Sequence, residues 1–171
     1  TSTVADPSPG LLNGNTLIIN DVQIDAAIAG DDNASDTNAI SSTKASSAIA
    51  VAAAINKKSA ITGVTAKAEP NVIYGGGFSA NNTVGSFRIN GEIFTLGGGT
   101  SNREQLVAII NAKAGVTGVV ASLYSDGLKL EAADGRNISL GMTGGTGAAN
   151  IGLSGVTVGT DVTDTTVVTH F

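Results

Sequence analysis

Short apolar runs broken by glycine, serine, threonine, asparagine and aspartate set the rhythm of this chain. Leu17-Ile18-Ile19 and Val22-Gln23-Ile24 are parted by Asn20-Asp21; Phe87-Arg88-Ile89 and Glu92-Ile93-Phe94 are parted by Asn90-Gly91. Asparagine, aspartate and glycine tolerate the positive φ that both central residues of a type I′ turn need, so each stretch predicts a two-residue β-hairpin. Two segments show three- and four-residue spacing instead. Over Ser42 to Lys58, the residues Ala48, Val51, Ala52 and Ile55 share one helical face, and Lys57 and Lys58 suit the negative end of the helix dipole. After Ser101-Asn102-Arg103-Glu104, which has the Ser-x-x-Glu spacing of a capping box, Leu106, Ile109, Ile110 and Lys113 line up in the same way, with Gly115 as the expected left-handed stop.

The two helix exits repeat. Ile55-Asn56 and Thr62-Gly63-Val64, then Ala66, stand in a constant register of 55 residues from Ile110-Asn111, Thr117-Gly118-Val119 and Ala121. The hairpins repeat with a register of 70, Ile19-Asn20 against Ile89-Asn90, so the first copy carries 15 extra residues, placed between Gly30 and Ser41. A repeat of this kind implies a duplicated supersecondary unit. Each unit reads as hairpin, helix, then a strand from Thr-Gly-Val. The second continues through Val119 to Leu123, a turn at Ser125-Asp126-Gly127, Leu128 to Glu131, a turn at Asp134-Gly135, and Ile138 to Leu140. The first has a shorter return at Val72-Ile73-Tyr74, and the tail offers strands at Val156 to Val158 and Thr165 to Val168. The expected fold is α+β: two related units of hairpin, amphipathic helix and antiparallel strands, with the helix on one sheet face. The units are residues 1–80, with an inserted loop at about 25–45, and residues 81–171.

Composition narrows the chemistry. There is no Cys, which excludes disulfide scaffolds and thiolate sites, and one His, His170, which cannot build a multi-histidine metal centre. With 14 acidic and 9 basic residues and a net charge of −5, the chain lacks the basic stripe that nucleic acid demands. No apolar run approaches the roughly 20 residues of a membrane span. His170, near the end of the sequence, is expected to fray.

Phe87-Arg88-Ile89-Asn90-Gly91-Glu92-Ile93, then Leu106, Ile109-Ile110-Asn111-Ala112-Lys113, Thr117-Gly118-Val119-Val120-Ala121 and Gly127-Leu128-Lys129-Leu130-Glu131-Ala132-Ala133-Asp134-Gly135-Arg136-Asn137-Ile138 closely resemble the flagellin "IN" repeat, named for the Ile-Asn pair of its first hairpin. The second copy matches over about Ser86 to Leu140; the first matches at Ile19-Asn20 and from Ile55-Asn56 to Ala66, and departs at its insertion and at Asp21. The resemblance implies a surface-exposed structural domain from the variable middle of a flagellin: extracellular, on the bacterial flagellum, serving motility and forming its antigenic exterior. It implies no catalysis and no cofactor. Partners would be other flagellin subunits, through long terminal helices not found in this stretch, and antibodies or host surfaces; O-glycosylation of exposed Ser or Thr is a further trait of the family. The corresponding domain of a cap or hook-associated protein is the alternative within the same machinery. Family members leave the cell unfolded, and a Cys-free chain that folds from local hairpins suits that route.

Other motifs read as structure. Asp31-Asp32-Asn33-Ala34-Ser35-Asp36 has the look of a calcium loop, but the sixth position is Asp36 in place of Gly and the twelfth is Ser42 in place of Glu, so a solvated surface loop is expected. Gly145-Thr146-Gly147-Ala148-Ala149-Asn150 nearly spells a dinucleotide fingerprint with no helix after it, and reads as a flexible turn. Three Asn-x-Ser/Thr triplets begin at Asn33, Asn81 and Asn137, as chance allows in so polar a chain. Asp126, Glu131 and Asp134 fall in or beside turns, where Asp serves the backbone. A glycan-binding adhesin module would need exposed aromatic side chains beside a groove. With four Phe and two Tyr, mostly wanted at core positions such as Phe87 and Phe94, the composition speaks against it.

Overall fold

A computed structural model describes residues 17–80, 85–97 and 102–171, and the chain is α+β. The first hairpin pairs β1 (Ile18–Ile19) with β2 (Val22–Gln23) across Asn20 and Asp21, whose φ angles of 49° and 63° are those of the predicted turn. Three-residue 3₁₀ turns at Ala29–Asp31, Ile40–Ser42 and Lys44–Ser46 lead into helix α1 (Ala48–Asn56) and the single-turn helix α2 (Ser59–Thr62). The helix expected from Ser42 is therefore shorter, because the Ser47 hydroxyl caps it by accepting from the Ala50 amide. Ala50, Ala52 and Ala54 are buried, and Ala50 and Ala54, with Val51 and Ile55 alongside, pack on Ile24 and Ala27; Ala48, expected on the same face as Ala52, is exposed.

Strand β3 (Asn71–Tyr74) follows, then the hairpin of β4 (Gly85–Ile89) and β5 (Glu92–Leu96), closed by Asn90 and Gly91 at φ 46° and 88°. Helix α3 (Arg103–Asn111) is capped by Asn102, which accepts from the Gln105 amide, so Glu104 sits one position too early for the predicted capping box. The other half of that box, Ser101, lies outside the described residues, as does the triplet at Asn81. Gly115 does not stop the helix: it lies within a further turn, α4 (Ala114–Thr117), and the left-handed cap is Gly118 at φ 69°. Beyond it run β6 (Val120–Tyr124), β7 (Gly127–Ala132), β8 (Ile138–Thr143) and β9 (Val168–His170). The expected strand at Val156 to Val158 does not form. Gly159 instead brackets β8 with two backbone bonds, to the Leu140 carbonyl and from the Met142 amide.

Besides the two-stranded β1-β2 hairpin, the described residues form two larger antiparallel sheets, ordered β3-β7-β6 and β5-β4-β8-β9. Ile73, Leu128, Leu130 and Ala121 of the first sheet join Phe87, Ile89, Phe94, Ile138 and Leu140 of the second in one core with Leu106 and Ile110 of α3. Burial of each such aliphatic side chain contributes roughly 1.5–3 kcal/mol. Phe87 and Phe94 stack as a cross-strand pair, ring centroids 4.7 Å apart. Strand β3, from residues 1–80, pairs along its whole length with β7, so a shared sheet crosses the division at residue 80.

The turn before β7 is shorter than expected. Ser125 and Asp126 alone form it, and Gly127 is the first strand residue, paired with Tyr124. Glycine is needed there for close approach: a Cβ would lie 2.5 Å from the Gly152 carbonyl oxygen and 2.7 Å from that of Gly75.

Candidate functional site

The repeated residues prove to be side-chain staples. In the second copy, Asn111 ends α3 and clamps the backbone of Ala121: its Oδ1 accepts from the Ala121 amide at 2.7 Å, and its Nδ2 donates to the Ala121 carbonyl at 3.0 Å. Asn56 repeats both bonds on Ala66, at 2.7 and 2.8 Å. A side-chain amide thereby takes the place of a neighbouring strand residue, and at Ala121 it satisfies the outer edge of β6.

The hairpin asparagines form a second staple. Asn20 Nδ2 donates to the Thr62 carbonyl at 2.8 Å, and Asn90 Nδ2 to the Thr117 carbonyl at 2.9 Å. Both carbonyls are helix-terminal acceptors with no partner inside the helix, so each bond ties a hairpin tip to a helix end. Asn90 reaches further, since its Oδ1 accepts from the Ser139 amide at 2.7 Å and locks the start of β8.

Thr-Gly-Val is the third shared device. Thr62 and Thr117 accept from the amides of Val64 and Val119 at 3.1 and 3.2 Å, while Gly63 and Gly118 turn left-handed at φ 70° and 69°. The copies differ in what covers the glycine. Gly63 is open, whereas the Arg136 guanidinium lies on Gly118, where a Cβ would come within 2.2 Å of its carbon. Arg136 is held there by Asp134, with Nη2 to Oδ2 at 2.7 Å. Burial raises the Asp134 carboxyl, but the Arg136 side chain and amide outweigh it and hold the group below the usual range. Gly135 turns at φ 81°, as predicted for its position, with Glu69 and Ala68 pressed against it. Asp126 is exposed in its turn, and Glu131 pairs with Lys129 at 2.7 Å.

The inserted loop is a docked strap, which corrects the expectation of a solvated surface loop. Alternate residues of β4, β8 and β9 point away from the aliphatic core, and there Arg88, Ser139 and Thr169 lie buried beneath residues 35–42 and 161–164. Arg88 pairs with Asp36 at 3.5 Å and with Asp164, and donates to the Val162 carbonyl at 3.0 Å. The Asn137 amide donates to the Ser35 hydroxyl at 2.9 Å, its side chain donates to the Ser42 carbonyl at 2.6 Å, and Ser41 bridges to the Val167 carbonyl and the Thr169 hydroxyl.

The loop's acids are occupied within the chain. Buried Asp32 accepts from the amides of Ala34 and Ser35 and from the Ser35 hydroxyl. Burial pushes its carboxyl up, yet bonds from Ser35, Ser47 and those amides prevail and hold it below the ordinary value. Asp31 pairs with Lys57. Among the described residues no group of three or more His, Asp or Glu side chains is placed to hold a metal ion. Among them, too, no helix is long and apolar enough to cross a membrane.

Two further expectations change. The glycine-rich stretch is ordered: Ala148–Ile151 is a 3₁₀ turn, with Asn150 accepting from the Gly147 amide and donating to the Ser79 carbonyl. His170 is buried in β9, its Nε2 2.8 Å from the Thr157 carbonyl oxygen. Burial lowers its pKa, and the bond to Thr157 only partly opposes this. The triplet asparagine Asn137 is fully buried and engaged, which closes it to modification in the folded chain.

What these residues define is a duplicated α+β module whose signature positions carry architecture. No protein-family model matches the chain, and neither a curated protein nor a solved structure matches it.

Proposed function

We propose that this chain is a structural, outward-facing domain of a flagellar filament protein, extracellular, without catalytic activity, and joined to other subunits through segments outside this stretch. The observation that carries the reading is the match between motif and bonding. The Ile-Asn positions that produce the resemblance, Asn20, Asn56, Asn90 and Asn111, are those whose side chains staple each copy internally, in the same way in both. A sequence signature held by such bonds marks a structural repeat. The charged groups beside a polar concavity lined by Asp36, Glu92 and Arg136 are also engaged structurally: Asp36 with Arg88, Glu92 with Lys113, and Arg136 with Asp134.

Mass spectrometry of filaments sheared from the source bacterium tests the proposal. The tryptic peptide spanning 114–129 is expected among the most abundant species. Its consistent lack from sheared filaments, with recovery from another cell fraction, would remove the flagellar reading.

A further inference from the structure

The chain has two tyrosines, and both stand on the outer face of the three-stranded sheet. Tyr74 is 53% exposed and Tyr124 46%, with ring centroids 4.6 Å apart and planes tilted by 51°. In a chain this poor in aromatic residues, the buried positions at Phe87 and Phe94 are filled by Phe, while the two phenols are placed together at the surface. Register sets their neighbours. Tyr74, Lys129 and Ser122 form one row across the face, and Val72, Glu131 and Val120 the next. Tyr74 also borders a concavity of about 370 Å³ that reaches Glu69, Pro70 and Phe171.

We propose that this face binds a neutral oligosaccharide, with a sugar ring against the tyrosines and its hydroxyls toward the concavity. The proposal goes beyond the filament reading and does not depend on it. A pyranose has an apolar C–H face that suits an aromatic surface, and a rim of hydroxyls that both donate and accept. The face supplies matching groups: two half-exposed rings, the Ser122 and tyrosine hydroxyls, and the Glu69 carboxylate, which has no hydrogen-bond or ion-pair partner among the described residues. Lys129, the one cation in the three described strands of this sheet, is paired with Glu131 at 2.7 Å, which weakens the face's hold on an anionic ligand.

Two competitors fit less well. A second copy packed face to face would bury the Lys129–Glu131 pair, with a desolvation cost its attraction need not repay. A proline-rich peptide also favours aromatic grooves, but proline has no N–H, so it offers the Glu69 acceptor no donor.

The test is NMR of the folded chain titrated with neutral trisaccharides of glucose, mannose and N-acetylglucosamine, following the ring protons of its two tyrosines. At least one sugar should shift both sets of signals, with Kd on the order of 1 mM for so shallow a face. Tyr74→Ala and Tyr124→Ala should each weaken binding about tenfold, while Tyr74→Phe and Tyr124→Phe, which keep the ring, stay within about threefold of the parent. Unchanged spectra with all three sugars at saturating concentration overturn the proposal. So does a shift produced by a proline-rich peptide and by none of the sugars, or a shift that tracks protein concentration alone and so reports self-association. Sugar binding untouched by either alanine change overturns the placement.

Discussion

Replacing Asn111 by alanine should cost far more than the same change at Asn56, although the two make the same pair of bonds. Each side chain gives two hydrogen bonds of about 1 kcal/mol net apiece. The difference lies in what is left behind. Ala121 is 2% exposed, so its amide and carbonyl lose their partner where water enters poorly, a further penalty of about 1 kcal/mol or more. Ala66 is half-buried and its bonds to Asn56 are exposed, so water replaces much of what is lost. Each asparagine ends its helix, so the gain in helix propensity from alanine is the same in both and cancels from the comparison. The expected costs are about 3 kcal/mol for Asn111→Ala and about 1 kcal/mol for Asn56→Ala. With a urea dependence of about 2 kcal/mol per molar, the midpoints fall by roughly 1.5 M and 0.5 M. Circular dichroism and tyrosine emission should trace coincident transitions. Equal midpoint losses, or a larger one at Asn56, would refute the reasoning that burial separates the two staples.

Three other outcomes follow from the same geometry. Gly63→Ala should cost about 1–2 kcal/mol, the strain of a left-handed alanine, and Gly118→Ala clearly more in the same urea assay, because its Cβ also meets Arg136. Arg88→Met leaves the Asp36 carboxylate buried without its cation and should cost about 3–5 kcal/mol, with faster tryptic cleavage after Lys44 as the strap loosens; Arg88→Met combined with Asp36→Asn should recover part of the loss. His170 has a folded pKa below its ordinary 6.5, so the unfolded chain takes the proton first. Its contribution is complete above pH 6.5 and is lost as pH falls through that value toward the lowered folded one, whereas the contributions of Asp32 and Asp134 stay complete above 3.8 and are lost only below it. Urea midpoints should therefore fall between pH 7 and 5, and His170→Gln should flatten that fall.

The hairpin tips were legible because their signal is local: Asn20-Asp21 and Asn90-Gly91 state a backbone conformation in two residues. The 55-residue register was legible as well, and it marked Asn56 and Asn111 as equivalent without showing their use. A side chain that clamps a backbone ten residues on leaves no periodicity, only an asparagine recurring at a helix end. Gly115 offers a false helix stop because a second helical turn intervenes, and the true stop lies in the Thr-Gly-Val shared by both copies. The strap's docking is not legible, since its acids resemble those of any surface loop. The strap's partners, Arg88, Asn137 and Thr169, are distant in sequence, and only the pairing of β4 with β8 and of β8 with β9 brings them beneath it. The tyrosine pair is hidden from the sequence for the same reason: β3 and β6 are brought together only through β7.

The central proposal, that this domain forms the exterior of a flagellar filament, is tested most directly by immunogold electron microscopy of the source bacterium with antibody raised against this chain. Gold along the whole filament is the predicted result. Gold confined to the tip or the hook junction would transfer the domain to a cap or hook-associated protein, and gold away from the flagellum would contradict the account.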